Sequence, residues 1–577
     1  MKKYLSTRKP WAFLDGYRGT SFSGEWPTLP EMFEITVQRF PTHACFTDFN
    51  ATGKNTLSYA QVLENVKKCA QWLRSQGVEK GDRVAVSGKN SPEWGTVYLG
   101  ALFAGAIIVP IDYGLHDHEI ENLLKASDPK IFFVDEEKYE YFTSSSTKVK
   151  IYSVSPKHPE QYVYNLVADK EYKITPAVET DTAAILFTSG TTGTPKGVML
   201  SHKNFVSDAY IAQTNLYISE KDVFYALLPI HHSYTMLAVF IESLAVGAEV
   251  VFGKSMAVSR MLKELREGKI TMLLGVPLLF NKLLAGIMKG LKEKGPIVFG
   301  IMKGLMGISF FCKKVFHFNP GKFLFKPVLE KASISTIRVA ICGGGPLAPS
   351  IFRVYQELGI DFIQGYGLTE TSPIIALNPK EHFKIESVGQ YFINYMEMRI
   401  DNPDENGIGE VQVKGPMVMQ GYYKMEEETK AMFTSDGWLK TGDLGKLDFE
   451  GYLTLCGRAK NLIVTEGGKN VFPEEIENAF QLYNDIDQIT IQGYIMDKET
   501  KSEGIEALIY PSEDCIKRLG VVRGDQNSAD LVKETFSDIV EKVNKTLPAY
   551  ARISKITILE EALEMTTTKK VKRNYQK

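Results

Sequence analysis

Thr188-Ser189-Gly190-Thr191-Thr192-Gly193-Thr194-Pro195-Lys196-Gly197-Val198-Met199-Leu200-Ser201-His202-Lys203-Asn204 follows directly on the apolar run Ala183 to Phe187. Glycines 190, 193 and 197 let the backbone come close and aim N–H groups inward, the hydroxyls of Thr188, Ser189, Thr191, Thr192 and Thr194 add donors, and Lys196 adds charge. This is what a triphosphate needs. The lead-in AAILF reads as a strand, so a loop hung from a sheet edge is expected. The Walker pattern G-x-x-x-x-G-K-[ST] is excluded: started at Gly190 it meets Pro195 where its second glycine belongs and Gly197 where its Ser/Thr belongs, and no helix nucleates cleanly there. Ser/Thr/Gly composition by itself means a surface loop; the order of the residues is what points to phosphate.

That order resembles the signature of the adenylate-forming superfamily, which includes acyl-CoA synthetases, firefly luciferase and peptide-synthetase adenylation domains. Further blocks follow in the family's order: LPIHHSY (228–234), GGGPLAP (343–349), QGYGLTETSP (364–373), GWLKTGDLG (437–445), GRAKNLIVTEGGKNVFPEEIE (457–477) and TTTKKVKR (566–573). The resemblance covers roughly residues 30–577 and implies an α/β fold. Its expected parts are a large N-terminal domain of layered β-sheets with flanking helices (1–459) and a small, mobile α+β C-terminal domain (460–577).

Length and composition agree. At 577 residues the chain exceeds what one core usually serves, and 44% hydrophobic content gives ample material to bury. Basic and acidic residues nearly balance, 67 against 69, which argues against a general nucleic-acid binder. The six cysteines are scattered without a CxxC and suggest a reducing compartment, with no disulfide frame or zinc site. The basic N-terminus lacks the apolar core of a signal peptide, so a cytoplasmic location is expected. No run of about 18 uninterrupted apolar residues is present, so no membrane span is expected.

Helical and strand patterns alternate as they do in mostly parallel sheets. Ser58, with Gln61 three residues on, opens an amphipathic helix that Gly77 ends; DRVAVSG (82–88) reads as a strand; Ser91 caps a helix that leads to the strand IIVPI. Residues 285–331 stand apart. They hold nine lysines against Glu293 and Glu330, interleaved with apolar runs, and GIMKGL occurs twice, at 286 and 300, with Pro296 between. Such a cationic amphipathic hairpin suits an anionic membrane surface or the mouth of an apolar tunnel; the alternative is a solvated helical insertion packed on the body. An insertion here, like NSPEW at 90–94, resembles the long-chain fatty acyl-CoA synthetases, so a lipid substrate is implied.

Joining a carboxylate to the α-phosphate of ATP requires neutralised charge and alignment more than proton transfer. The resemblance makes Glu370 the Mg2+ ligand, a hard oxygen for a hard cation, and Thr369 a donor to phosphate. It lays Tyr366, with Gly365 before it, against the adenine ring, and sets Gly344, Gly345 and Pro346 on the ring's edge. Asp443 is expected on the ribose hydroxyls, with Arg458 reaching the same sugar or the phosphate. Lys570 is the expected adenylation catalyst, a flexible stem carrying a point charge. The family usually has glycine immediately before this lysine; Lys569 stands there in this chain, and the register, counted back from Val571 and Arg573, leaves Lys569 as the alternative. For the second half-reaction the resemblance implies that the C-terminal domain swings about a hinge at Lys460 and that Gly468 lines the tunnel for the pantetheine arm of coenzyme A. His232 is implied beside the acyl pocket, without a role as base; His231 is expected to pack, and His116 and His118 to lie at the surface.

The reading is a two-domain enzyme that activates a fatty acid, with long chains first, using ATP and Mg2+, and passes the acyl group to coenzyme A. Its rivals are an enzyme that stops at the adenylate or hands it to an acyl-carrier protein, and a non-catalytic nucleotide-binding regulator. Contact with the inner face of a membrane through 285–331 completes the expectation.

Overall fold

Side-chain alternation along the strands decides how the layers stack. In Glu249–Phe252, Val250 and Phe252 enter one buried cluster and Val251 another, on the opposite face; in Arg83–Ser87, Val84 and Val86 are separated from Ala85 in the same way. Both faces of the parallel parts of the two sheets are therefore apolar and need covering. The computed structural model describes residues 5–50, 53–145, 147–188, 195–255, 257–465, 469–497, 502–523, 528–565 and 571.

The larger sheet has 13 strands. Parallel strands Ala44–Asn50, Glu249–Phe252, Val223–Ala226, Met272–Gly275, Val339–Cys342 and Asp361–Gly367 form one half, and antiparallel strands from Ile374–Leu377 to Glu397–Asp401 form the other. The second sheet has 7 strands, and its parallel centre, Arg83–Ser87 with Ile107–Ile111 and Ile131–Val134, ends in an antiparallel edge containing Thr182–Thr188 and Lys196–Ser201. Between the sheets lie helices such as Tyr59–Ser75 and Pro92–Phe103. Trp94 and Tyr98 of the latter stack at 5.4 Å and meet Phe240 edge-on. Other helices cover the outer faces. The α/β class and layered architecture expected from the sequence are observed.

Local signals act as read. Ser58 accepts from the Gln61 amide while Gln61 accepts from the Ser58 N–H at 2.8 Å, and the chain leaves the helix through Gly77 at φ +84°. Ser91 caps Pro92–Phe103. All six cysteines are free.

Residues 285–331 belong to two helices joined at Glu293–Gly295, Pro277–Lys292 and Pro296–Phe316, followed by Gly321–Leu324 and Lys326–Lys331. Pro296 starts the second helix, where a missing N–H costs nothing. By length and composition Pro296–Phe316 is apolar enough to cross a membrane. Lys303, Lys313 and Lys314 interrupt its apolar run, so no uninterrupted stretch of about 18 apolar residues marks it in the sequence. Past Arg458 the chain leaves the large sheet. From Ile463 on it builds a two-stranded and a three-stranded sheet around a separate apolar cluster that includes Ile491, Ile509 and Phe536.

Candidate active site

The opening stretch forms a β-hairpin. Strand Thr182–Thr188 pairs antiparallel with Lys196–Ser201, Thr188 opposite Lys196, and the Thr188 hydroxyl donates to the Lys196 carbonyl at 3.5 Å. Lys196 thus begins the returning strand, its charge fixed at the mouth of the hairpin. The strand ends in a helix start: Ser201 accepts from the Asn204 amide and Asn204 Oδ1 accepts from the Ser201 N–H at 2.8 Å. The Asn204 side-chain amide also donates to the carbonyls of Pro416 and Val418, at 2.7 and 3.0 Å. That clamp fixes the segment leading to Gly421–Tyr422, which pairs with Lys196–Ser201 as the sheet's edge.

Strand Asp361–Gly367 crosses from one half of the large sheet to the other. Through Gln364 it pairs parallel with Val339–Cys342; from Gly365 it pairs antiparallel with Ile374–Leu377. Half-buried Gly365 packs against Leu377 across that pair, and at Gly367 a Cβ would lie 1.7 Å from the Pro373 carbonyl oxygen. The tight turn puts Thr369 and Glu370 at the rim. The Thr369 hydroxyl shares a hydrogen bond with Ser233 Oγ (3.1 Å), one residue after His232. The Glu370 carbonyl accepts from the Met419 N–H at 2.9 Å, and its carboxylate accepts from the Tyr422 hydroxyl at 2.8 Å. Lys196 Nζ stands 4.9 Å from the centroid of the same Tyr422 ring. Tyr422 therefore links the cation of one sheet to the carboxylate of the other. Burial, then the charge of Glu370, pushes its phenol well above the usual range and keeps it a donor.

A second group sits four residues upstream. The Tyr366 hydroxyl donates to Asp443 Oδ2 at 2.6 Å, and Arg458 Nε is 2.7 Å from Asp443 Oδ1. Asp443 is buried and Arg458 exposed, so a buried carboxylate is neutralised by a guanidinium reaching in from the surface. Burial, then Asp443, raises the Tyr366 phenol. Gly344 has φ +75°, which glycine adopts without strain, and Gly344 and Pro346 are exposed with Gly345 between them. From beyond the large sheet, Gln481 Nε2 donates to the Pro346 carbonyl (3.0 Å) and Gln481 Oε1 accepts from the Ala348 N–H (2.9 Å). Lys460 is exposed, two residues after Arg458.

His232 is half-buried at the start of the helical run Ser233–Val246, beside the Ser233–Thr369 contact. His231 is buried, its Nε2 3.4 Å from Asp112 Oδ1 and its ring 4.3 Å from that of His232. Asp112, His231 and His232 bring three ligand-type atoms within 4.8 Å of one another. Asp112 lies far from His231 and His232 in sequence, so no metal-ligand spacing along the chain marks this grouping. His116 and His118 are exposed, as expected.

Lys196 and Glu370 thus meet through Tyr422, and Tyr366 and Arg458 through Asp443, with Tyr366, Thr369 and Glu370 set on one stretch of backbone. Ser189, Gly190, Thr191, Thr192, Gly193, Gly468 and Lys570, with its alternative Lys569, lie outside the described residues. The sequence reading missed Tyr422, Ser233 and Gln481, which stand in no phosphate-like or carboxylate-rich pattern; only cross-sheet pairing and packing reveal them. The donor set fits a nucleotide and a hard divalent cation: carboxylate and hydroxyl oxygens together at Glu370 and Thr369, the Lys196 ammonium across the Tyr422 ring, and an open Gly-Gly-Pro edge that follows the strand paired with that of Tyr366.

Residues 33–423 match the family described as AMP-binding enzyme. The chain is 28% identical to a 4-coumarate--CoA ligase of Humulus lupulus, over 91% of this chain and 89% of that one. It is also 28% identical to the long-chain-fatty-acid--CoA ligase FadD15 of Mycobacterium bovis, over 89% of each. Among solved structures it resembles the o-succinylbenzoate coenzyme A synthetase of Bacillus subtilis in complex with ATP and magnesium, with TM-score 0.71, 25% identity and coverage of 94% of this chain and 98% of that one. The ATP-bound MatB of Rhodopseudomonas palustris has the same fold, at TM-score 0.73 and 24% identity, with coverage of 94% of this chain and 97% of that one.

Proposed function

This chain belongs to the AMP-binding enzyme family, and from that premise we propose that it activates a long-chain fatty acid. It is an adenylate-forming acid–thiol ligase that uses ATP with Mg2+ and coenzyme A. The observation that carries the reading is the link from Lys196 through Tyr422 to Glu370 and Thr369, alongside the set Tyr366, Asp443 and Arg458. In this reading Tyr366 and the Gly344–Pro346 edge hold the base, Asp443 and Arg458 the ribose, and Thr369 and Lys196 the phosphates. A magnesium ion held by Glu370 would neutralise phosphate charge. The Lys570 ammonium would stabilise the charge that builds as a carboxylate oxygen attacks the α-phosphate and pyrophosphate leaves. The C-terminal part then turns about Lys460 to admit, past Gly468, the thiol, which takes the acyl group as AMP leaves.

The fatty-acid choice is supported by the helical insertion at 285–331 and by similarity to FadD15. Similarity to the 4-coumarate ligase favours an aromatic acid instead, so the test must include both. A panel of carboxylates from acetate to oleate, plus hydroxycinnamates, is scored by AMP and CoA-thioester formation with and without CoA. Long-chain acids should give chain-dependent pyrophosphate release and a CoA thioester without any carrier protein; preference for the aromatic acids sinks the substrate assignment. Lys570→Ala should lower adenylation by about a hundredfold or more, and unchanged adenylation in that variant overturns the catalytic role. For location, the matching proposal is a cytoplasmic enzyme working at the inner membrane face.

A further inference from the structure

Helix Pro296–Phe316 has two apolar faces, and the protein body uses only one. Met302, Met306, Phe310 and Lys313 recur every three or four residues and turn inward: Met306 and Phe310 are buried, and Lys313 lies 2.7 Å from Asp361. Ile297, Ile301, Gly304, Ile308, Phe311 and Val315 recur with the same spacing on the other side and are exposed. Beyond the helix, Phe316, Phe318 and Phe323 extend that surface, Phe323 with 84% of its area in solvent. A scattering of single exposed apolar residues is ordinary; a continuous stripe of this length is an interaction surface.

We infer that this stripe is an in-plane membrane anchor that seats on an anionic bilayer, the helix axis parallel to the surface. Charge identifies the occupant. Lys292 and Lys294 border the stripe at one end, Lys326 at the other, and Lys303 and Lys314 along one side, all exposed. Lysines at the margin of an apolar face are placed to reach lipid phosphates while the stripe enters the acyl boundary. Five of the segment's nine lysines stand there, Lys326 also 3.8 Å from Glu330, in a chain whose total charge is −2.

The helix lies flat because its far end is pinned. The Lys313–Asp361 pair fixes it to the first residue of the central strand, and Asn319 Nδ2 donates to the Gly359 carbonyl at 2.8 Å. A Cβ at Gly321 would come within 2.7 Å of the Gly359 backbone. An axis held this closely along its inner face cannot turn end-on to span a bilayer, although its length alone would suffice. Long-chain acids partition into bilayers, so on the reading proposed above the anchor brings the enzyme to its substrate.

The full-length protein is sedimented with vesicles of phosphatidylglycerol and of phosphatidylcholine, at low and high salt and without ATP, so that binding is scored separately from the ligase reaction. Wild type should pellet with the anionic vesicles and be released by salt. Ile301→Ser/Ile308→Ser/Phe311→Ser should lower the bound fraction by about tenfold, and Lys303→Glu/Lys314→Glu by a similar factor at low salt only. These side chains are exposed, so thermal melting should be unchanged. Phe323→Trp should be quenched by lipids brominated near the headgroup more than by those brominated at the chain end. Wild type remaining in the supernatant, or both multiple variants pelleting like wild type, overturns the inference. So does a concentration-dependent dimer that the serine variant abolishes while vesicles are ignored, which would assign the stripe to a second copy of the chain.

Discussion

Tyr422 sits on the short edge strand of one sheet, yet its hydroxyl serves a carboxylate of the other. Removing only that hydroxyl, in Tyr422→Phe, should leave the ring beneath Lys196 and free the Glu370 carboxylate to drift. Acid-dependent ATP–pyrophosphate exchange should fall by about tenfold, the value of one hydrogen bond to a charged group, with little change in melting temperature. His202 offers a prediction about pH. It is fully buried, its Nδ1 accepts from the Leu29 N–H at 3.2 Å, and burial lowers its pKa to about 4. The unfolded chain, with an ordinary imidazole near 6.5, takes up the proton first as pH falls. The stabilisation is therefore complete above about 6.5 and lost as pH drops towards about 4, amounting to roughly 3 kcal/mol. His202→Asn keeps an acceptor without the titration, so its urea midpoint should vary less over that interval than that of wild type; equal slopes would refute the assignment.

Among elements, strand Asp361–Gly367 does the most for the site, because it changes partners in mid-course and delivers Tyr366, Thr369 and Glu370 from one backbone path. The change depends on Gly367, where even a methyl group would overlap the Pro373 carbonyl. Gly367→Ala should destabilise the fold by about 3 kcal/mol or more, as overpacking against rigid backbone does, and lower soluble yield; a variant that melts like wild type would show that the turn can open. The hairpin Thr182–Ser201 explains why the Walker pattern failed. Lys196 leads into a strand paired antiparallel with Thr182–Thr188, whereas the lysine of a Walker loop leads into a helix.

For the whole molecule, one described contact between the two apolar bodies falls on residues 344–349, besides those of Pro473–Ala479 with Tyr452–Arg458 and of Lys469 with Glu405. Gln481 pairs with both a carbonyl and an N–H of that loop, acting as a side-chain substitute for a strand neighbour. In Gln481→Ala that latch is gone, and tryptic cutting after exposed Arg458 or Lys460 should quicken by about fivefold. No change in cutting rate would mean that other contacts hold the C-terminal part.

What the sequence determined alone is whatever depends on neighbours along the chain. The Ser58 and Ser91 caps, the strand Ala183 to Phe187, the break at Pro296 and the seven ordered blocks were legible because turn chemistry and period are local properties. The tertiary structure alone decided which local pieces share a surface. Tyr422, Ser233, Gln481 and the Asp112–His231 approach come from segments tens to hundreds of residues apart, brought together by sheet order and packing, and no periodicity encodes such distances. The helix Pro296–Phe316 shows the same division: its apolar character was legible, but only the pinning of one face against Asp361 and Gly359 decided which face is exposed.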